Sequence, residues 1–505
     1  MGVVIGIDVG TTTTKVLALD PEDADHRWRA VALREYRLVE PAPRHQVQDP
    51  RTVLGAVDDA LAEVVAACTA AGRTVDVLGV GTAMHGLVAL DAELRPITDI
   101  VTWADTRAHA QAARLRADGR GLELHHRSGT PVHPMSPLVK LAWFTQEDAD
   151  TAAAAHRWIG LKDLVLLHLT GRLVTELSTA SCSGLLDLST RTWAPEHLDI
   201  AGVRAEQLPP VLPTTALLEL SPAAAARSGL PAGTPVNTGA TDGPLGNLGT
   251  GAIAPGIAGL SMGTSGAVRT VVREPVLDDH GRLFCYALTD DAWVVGAPMS
   301  NGGVVARWAG EVYASQVPAG PERDAHVMAM AARVPAGSDG LVMLPYLLGE
   351  RAPLWDPELT GSFLGVRHEH GPDHFVRAAI EGVAVSMGGL IEVLGGVTPV
   401  EQVRCTGGVF QAEVWRRVMA AAIDRPLVPT DDAEGSALGG AALALYALGR
   451  ADSLAGALEL LSPADGVADP IEVDAADREV YRGMRRRTAA MLEAYDGVRA
   501  YLAGD

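Results

Sequence analysis

The stretch Gly2-Val-Val-Ile-Gly-Ile-Asp8-Val-Gly10-Thr-Thr-Thr-Thr-Lys15-Val-Leu-Ala-Leu-Asp20 sets the architecture of everything after it. An apolar, β-branched run from Val3 to Val9 reaches a Gly10-Thr11-Thr12 turn, and a second apolar run, Val16 to Leu19, follows. Two such runs around a glycine turn predict a β-hairpin. Asp8 is anomalous, because a carboxylate inside an apolar strand is costly unless something pairs with it. Gly10 and the four threonines after it offer backbone N–H groups and hydroxyls where the chain can approach a ligand closely. A carboxylate able to hold a hydrated Mg2+ beside donors for phosphate oxygens points to a nucleoside triphosphate site. The competing reading is a hairpin whose threonines merely fill a turn.

Working outward, 505 residues predict two or three domains with large cores. The chain is 48% hydrophobic and 20% charged, ordinary for a soluble globular protein. A formal charge of −21 argues against nucleic acid or a membrane surface as partner, since both are polyanions. It leaves a small anionic substrate open, because local cations in a pocket outweigh the total. No apolar run of membrane-spanning length and no signal peptide stand out. Cys68, Cys182, Cys285 and Cys405 are scattered, without C-x-x-C spacing. They read as buried thiols of a reducing cytoplasm, not as zinc ligands or a disulfide framework. Of 41 basic residues only three are lysine: Lys15, Lys140 and Lys162. Against so strong an arginine default, a lysine marks either chance or a place that wants a compact ammonium ion.

Along the chain, Val53, Val57, Leu61 and Val64/Val65 recur at helix spacing within Asp49 to Gly72. Asp76 to Thr82 reads as a short strand ending in Gly81-Thr-Ala-Met84-His85-Gly86, Val88 to Asp91 as strand, and Ile100 to Arg107 as a strand with polar residues at its end. Strands that alternate with helices and end in polar residues put them on the rim where α/β proteins bind ligands. Met84, His85, Trp103, Asp105 and Arg107 together would suit a polyhydroxy compound, a flat apolar face beside hydrogen-bonding and charged groups. Singly, each has a plain structural reading. Pro137 suits the first turn of a helix running through Lys140, and Trp158 to Asp163, including Lys162, with the largely apolar Leu164 to Leu169 behind it, reads as loop and helix. Gln207 to Gly239 resembles a connecting region and leads to Asp242, expected in a glycine-flanked turn with its carboxylate exposed.

An internal repeat sharpens this. Gly263-Thr264-Ser265, after Ala258 to Met262, copies the opening hairpin 253 positions on, the offset that also carries Gly6 to Gly259 and Asp8 to Ser261. Self-similarity at half the chain length predicts two like domains, each opening with a phosphate-gripping hairpin, with the acid only in the first. Between two lobes such hairpins would clamp a triphosphate.

At this point the chain is similar to the FGGY carbohydrate kinases. The resemblance rests on Asp8-Val-Gly-Thr-Thr, on Met135 to Glu147 and Gly361 to Val366 with the helix Phe375 to Met387, on Gly263-Thr-Ser, and on Thr406-Gly407-Gly408. Within the family, Met84-His-Gly86, Thr102 to Arg107, Trp158 to Lys162, Gly281 to Tyr286, Asn301-Gly-Gly303 and Gly349 to Trp355 resemble the gluconokinase branch, several of them shared with xylulokinases. The adenosine motif departs from its relatives in continuing Val409-Phe-Gln411-Ala412.

The resemblance implies two ribonuclease-H-like lobes of the actin, hexokinase and heat-shock ATPase kind around an ATP and sugar cleft. Domains are then expected at 1–245, 246–450 and 451–505, the last a helical segment packed on a lobe with Val480, Met484, Met491/Leu492, Tyr495 and Val498 inward and Arg485-Arg486-Arg487 solvated. It implies Mg-ATP-dependent phosphorylation of a terminal hydroxyl of gluconate. Asp242 would be the base and Asp8 the Mg2+-side acid. Met84, His85, Trp103, Asp105, Arg107, Lys162 and Asp242 would hold the sugar acid, with Arg107 or Lys162 on its carboxylate. Thr11, Thr12, Lys15, Gly263, Thr264, Ser265, Asn301, Gly407, Gly408 and Gln411 would hold the nucleotide. Homodimers are common among such relatives. A pentulose or polyol kinase is the alternative in the same chemistry; an actin-like or chaperone-like ATP-driven protein is the remote one.

Overall fold

The computed structural model describes residues 2–23, 28–430, 435–462 and 468–503. They fall into two compact units, and the chain passes between them more than once. The first unit takes Met1–Ala254, Val271–Val295 and Glu434–Gly466; the second takes Pro255–Thr270, Gly296–Ala433 and Val467–Asp505. Each packing unit thus gathers several separate stretches of the chain.

In the first unit the opening stretch forms its hairpin, β1 (Val3–Val9) against β2 (Thr13–Leu19), with Asp8 opposite Lys15. β3 (Arg29–Glu35) extends it. Asp49 then caps helix α1 (Pro50–Ala70), its carboxylate accepting from the amides of Arg51 and Thr52, with Pro50 in the first turn. The helix is the crossover that lets β4 (Val75–Thr82) pair parallel with β1. Helices α2 (Pro137–Glu147) and α3 (Leu161–Thr170) follow. The supposed connector 207–239 holds two strands at one end of the sheet, β5 (Leu217–Glu219) at the edge and β6 (Pro235–Asn237) next to it, besides the helix Pro222–Ser228. The six strands run in the order β5-β6-β4-β1-β2-β3.

Side chains alternate across β1 with period two. Val3, Ile5, Ile7 and Val9 pack with Val53, Val57, Leu61 and Val64 of α1. Val4, Gly6 and Asp8 face the other way, where Val4 packs with Leu245 and Leu248 of α4 (Asp242–Gly249) and with Ala437, Ala441 and Ala444 of α5 (Gly435–Ala447). Close approach needs glycine here. A Cβ on Gly6 would collide with the Ala437 carbonyl, and one on Gly79 with that of Gly440. α5 comes from far along the chain, yet it is a core element of the first unit.

The second unit repeats the plan. β7 (Gly256–Met262) and β8 (Gly266–Val272) form the copied hairpin, β9 (Val400–Thr406) pairs parallel with β7 as β4 does with β1, and β10 (Leu427–Pro429) pairs with β9. The helix Pro372–Gly395 is long and apolar enough to cross a membrane, which the sequence reading did not single out; 72% of that window is buried inside the protein, as for a core helix. From it Glu381 binds Arg377 (2.8 Å) and Tyr481 (2.7 Å), while Arg377 donates to the Tyr481 hydroxyl (2.9 Å).

Tyr481 lies on the final helix, Ala475–Ala503. Its inward face carries Tyr481, Met484, Arg485 and Thr488, with Leu492 packed against Leu344 and Tyr346. Val480 is only half-buried, and the side chains of Tyr495 and Val498 lie outside the described residues. Arg485 is not solvated as expected: it pairs with Glu392 at 2.8 Å and donates to the Ala422 carbonyl, while Arg486 and Arg487 are exposed. Tyr481→Phe removes a hydroxyl that both donates to and accepts from buried ions. We expect a loss of roughly 1.5–3 kcal/mol, read as a lower Tm.

Candidate active site

In the first unit the parallel strands β1, β4 and β6 end at one edge, and there the chemistry collects. Asp8 is the last residue but one of β1, Met84 and His85 follow β4, and Asp242 follows β6. Asp242 is not in an exposed turn. It is the first residue of α4, half-buried, where the helix dipole favours a negative charge. Burial, and then the Asp242 carboxylate, push the Asp8 carboxyl up to about 7, while Lys15 and Lys162 pull the other way. Oδ1 of Asp8 is buried and receives no hydrogen bond.

The glycine turn is braced from behind. Gly10 N–H donates to the Thr13 carbonyl (2.8 Å), the Tyr36 hydroxyl to the Gly10 carbonyl (2.8 Å), and Gln48 Nε2 to that of Thr11 (2.7 Å). Thr12 stays exposed and Thr11 half-buried. Trp103 Nε1 donates to Thr11 Oγ1 at 2.8 Å, so an aromatic of the expected sugar cluster is tied to the phosphate-type turn. Sequence reasoning missed Tyr36 and Gln48, which carry no local signal.

The cluster itself differs from expectation. Only Ile100–Val101 is strand, because Thr102 N and Oγ1 both bond the Gln46 carbonyl and the chain then folds back. Asp105 is fully buried and accepts from Gln46 N (2.7 Å) and from Nε and Nη2 of Arg107 (2.9 and 2.8 Å). The Arg107 fork is therefore spent on Asp105, and its Cζ lies 5.1 Å from the Trp143 ring centre; a substrate carboxylate finds that fork already occupied. Met84 and His85 line a pocket with Trp158, Lys162, Thr179 and Cys182. The Cys182 carbonyl sits 2.8 Å from His85 Nδ1, which places a proton on that nitrogen.

The two other lysines of this unit each place a compact ammonium among backbone carbonyls. Lys140 Nζ donates to the carbonyls of His85 (2.7 Å), Val101 (3.2 Å) and Thr102 (2.7 Å); burial pushes it down to about 7. Lys162 Nζ donates to those of Val80 (2.6 Å), Thr238 (3.1 Å) and Ala240 (2.6 Å). All three of its protons are used, so it does not serve as the expected reader of a carboxylate.

In the second unit, Gly263 and Thr264 are exposed at the turn, closed by Gly263 N–H to the Ser265 carbonyl (2.9 Å). Ser261 stands where Asp8 does and accepts from Arg269 (3.2 Å). Gly407, at φ 117°, presses on β7 so tightly that a Cβ would collide with the Met262 carbonyl; Gly408 and Gln411 beyond it are open. Asn301 is fully buried, its amide spent on Gly349 O (2.6 Å), Glu350 Oε2 (3.1 Å) and Leu348 N (3.1 Å). It braces the segment whose Gly302 and Gly303 amides bond the Thr264 and Gly263 carbonyls (3.1 and 2.8 Å), so it supports the turn from behind instead of touching a nucleotide.

Residues 3–249 match the N-terminal and 258–448 the C-terminal domain model of the FGGY family of carbohydrate kinases. The chain belongs to the FGGY family. This carbohydrate kinase is 38% identical over 462 residues to the gluconokinase of Bacillus subtilis, covering 89% of this chain and 88% of that one. Its fold superimposes on the crystal structure of gluconate kinase from Lactobacillus acidophilus with a TM-score of 0.90 at 28% identity, covering 97% and 98% of the two chains. A ligand-bound xylulose kinase from the same organism gives 0.90 and 28%, covering 98% of each. The fold is thus the two-domain one of the actin and hexokinase group, and the activity is that of an ATP-dependent sugar kinase; the ATP-driven, partner-moving alternative falls away.

Proposed function

We propose that this FGGY kinase transfers the γ-phosphoryl group of ATP to the terminal hydroxyl of a sugar acid, D-gluconate above all, giving 6-phosphogluconate. The observation that carries the chemistry is the pair of carboxylates, Asp8 and Asp242, at one strand edge and close enough to raise the Asp8 pKa. Asp242, at the head of α4, accepts the proton of the hydroxyl as its oxygen attacks the γ-phosphorus and the bond to the β-phosphate oxygen breaks. Met84, His85 and Trp103 orient the sugar, while Asp105 and Arg107 hold each other and fix the segment that carries Trp103. Within the first unit Thr11, Thr12 and Lys15 offer donors to phosphate oxygens; within the second, Gly263, Thr264 and Ser265 form a like turn with the same capacity. Gly407, Gly408 and Gln411 border the adenosine.

Mg2+ fits the first-unit site, because a buried oxygen of Asp8 that receives no hydrogen bond, beside a second acid, is a hard-oxygen position open to a cation. The residue to hold it is Asp8, through water, and the ion would supply charge neutralisation on the phosphates. A cytoplasmic location agrees with four free, buried cysteines.

Gluconate is favoured by the 38% identity to a gluconokinase; the equal likeness to a xylulose kinase structure keeps a pentulose as second reading. ADP release measured over gluconate, xylulose, ribulose and glycerol separates them. We expect kcat/KM for gluconate to exceed the others; a pentulose preferred over gluconate overturns the assignment.

A further inference from the structure

Lys162 is a fully buried cation, and nothing in the phosphoryl transfer above uses it. Its ammonium draws together three carbonyls from two separated strands of chain. Val80 lies in β4, two residues before Thr82, while Thr238 and Ala240 flank Gly239 directly ahead of Asp242. Gly239 has φ 69° and lies so close to β4 that a Cβ would collide with the Val80 carbonyl. Only a compact, tetrahedral donor brings three N–H groups to one point, and a planar guanidinium does not.

The charge is balanced by Glu176, whose Oε1 is 3.7 Å away. Glu176 in turn accepts from the amides of Ser178 and Thr179, and the Ser178 hydroxyl bonds Thr241 through both its amide (3.2 Å) and its hydroxyl (3.0 Å). On the far side, Ser436 Oγ donates to the Asp242 carbonyl at 3.1 Å. The backbone on either side of Asp242 is therefore pinned, and Lys162 is the hub of the upstream pins.

We propose that Lys162 is a positioning residue for Asp242, fixing the 238–240 turn so that the carboxylate at the head of α4 is held in its proton-accepting place without itself touching substrate. The inference rests on the reading of Asp242 as base. A group misplaced by about 1 Å costs up to roughly 10²-fold in rate, which sets the scale of the effect.

The test is a double-mutant cycle on the full chain, with ADP release followed at varied gluconate and Mg-ATP. Lys162→Met is expected to lower kcat by roughly 10- to 100-fold with both KM values nearly unchanged. On an Asp242→Asn background the same change should add almost nothing, because the group it positions is already gone. Lys140→Met removes an equally buried ammonium from three other carbonyls and should keep its full effect on that background. If Lys162→Met does not fold, Lys162→Arg, which keeps the charge but not the convergent donors, takes its place in the cycle. Full additivity for Lys162, a KM for gluconate that rises while kcat holds, or the same non-additivity for Lys140 overturns the proposal. Undiminished turnover in Asp242→Asn alone would instead remove the base, and the positioning role with it.

Discussion

Asp242→Asn is expected to lower kcat by roughly 10²–10⁴ while ATP binds as before, the range for loss of a general base. The substitution is nearly isosteric. It keeps an oxygen at the head of α4 and keeps the Ser436 hydroxyl bond, which runs to the Asp242 main chain. What disappears is the ability to take a proton at neutral pH. A second consequence comes from Asp8. With Asp242 uncharged, one of the two causes that raise the Asp8 carboxyl is gone, so Asp8 should ionise at lower pH than in the parent protein. Single-turnover rates and nucleotide titration together check the result. Near-normal kcat would take Asp242 out of the reaction.

The second large effect concerns stability. A Cβ on Gly439 would collide with the Leu245 carbonyl, so α5 and α4 meet there backbone to backbone. Gly439→Val forces the helices apart beneath the residue that begins α4. Overpacking of this kind costs about 3 kcal/mol, at the upper end of the usual range, and we expect poor soluble yield and a Tm lower by several degrees. Gly389→Ala is the fitting comparison, since nothing lies within 4 Å of a Cβ there and glycine is a poor helix former. If Gly439→Val melted no lower than Gly389→Ala, the contact would not be what holds α5 in place.

Much of this was legible in the chain because the informative features are local. The hairpin around Gly10 announces itself by an apolar run, a glycine and a misplaced acid, and its copy at Gly263 by a fixed offset. The cap at Asp49 and Pro50 is equally local. What was not legible depends on partners remote in sequence. Arg107 looks like a free cation until the fold brings its fork onto Asp105 and its guanidinium over the Trp143 ring. Asn301 looks like a ligand contact until Glu350 arrives behind it. Arg485 looks solvated until the Ala422 carbonyl meets it. Lys140 and Lys162 show the limit well: their rarity left chance and a wanted compact cation equally open, and only the fold reveals that carbonyl oxygens receive these two ammonium groups.

The placement of α5 bears on how the chain is made. β1 leaves the ribosome early, yet the helix that covers Gly6 and Gly79 emerges more than four hundred residues later. At 5–20 residues per second that interval is roughly 20–90 s. Throughout it the strip of the nascent sheet that α5 covers, around Gly6 and Gly79, stays bare, a natural landing place for a holding chaperone. For the same reason a fragment stopped ahead of Gly435 should yield sticky, half-clad protein in place of a working N-terminal half.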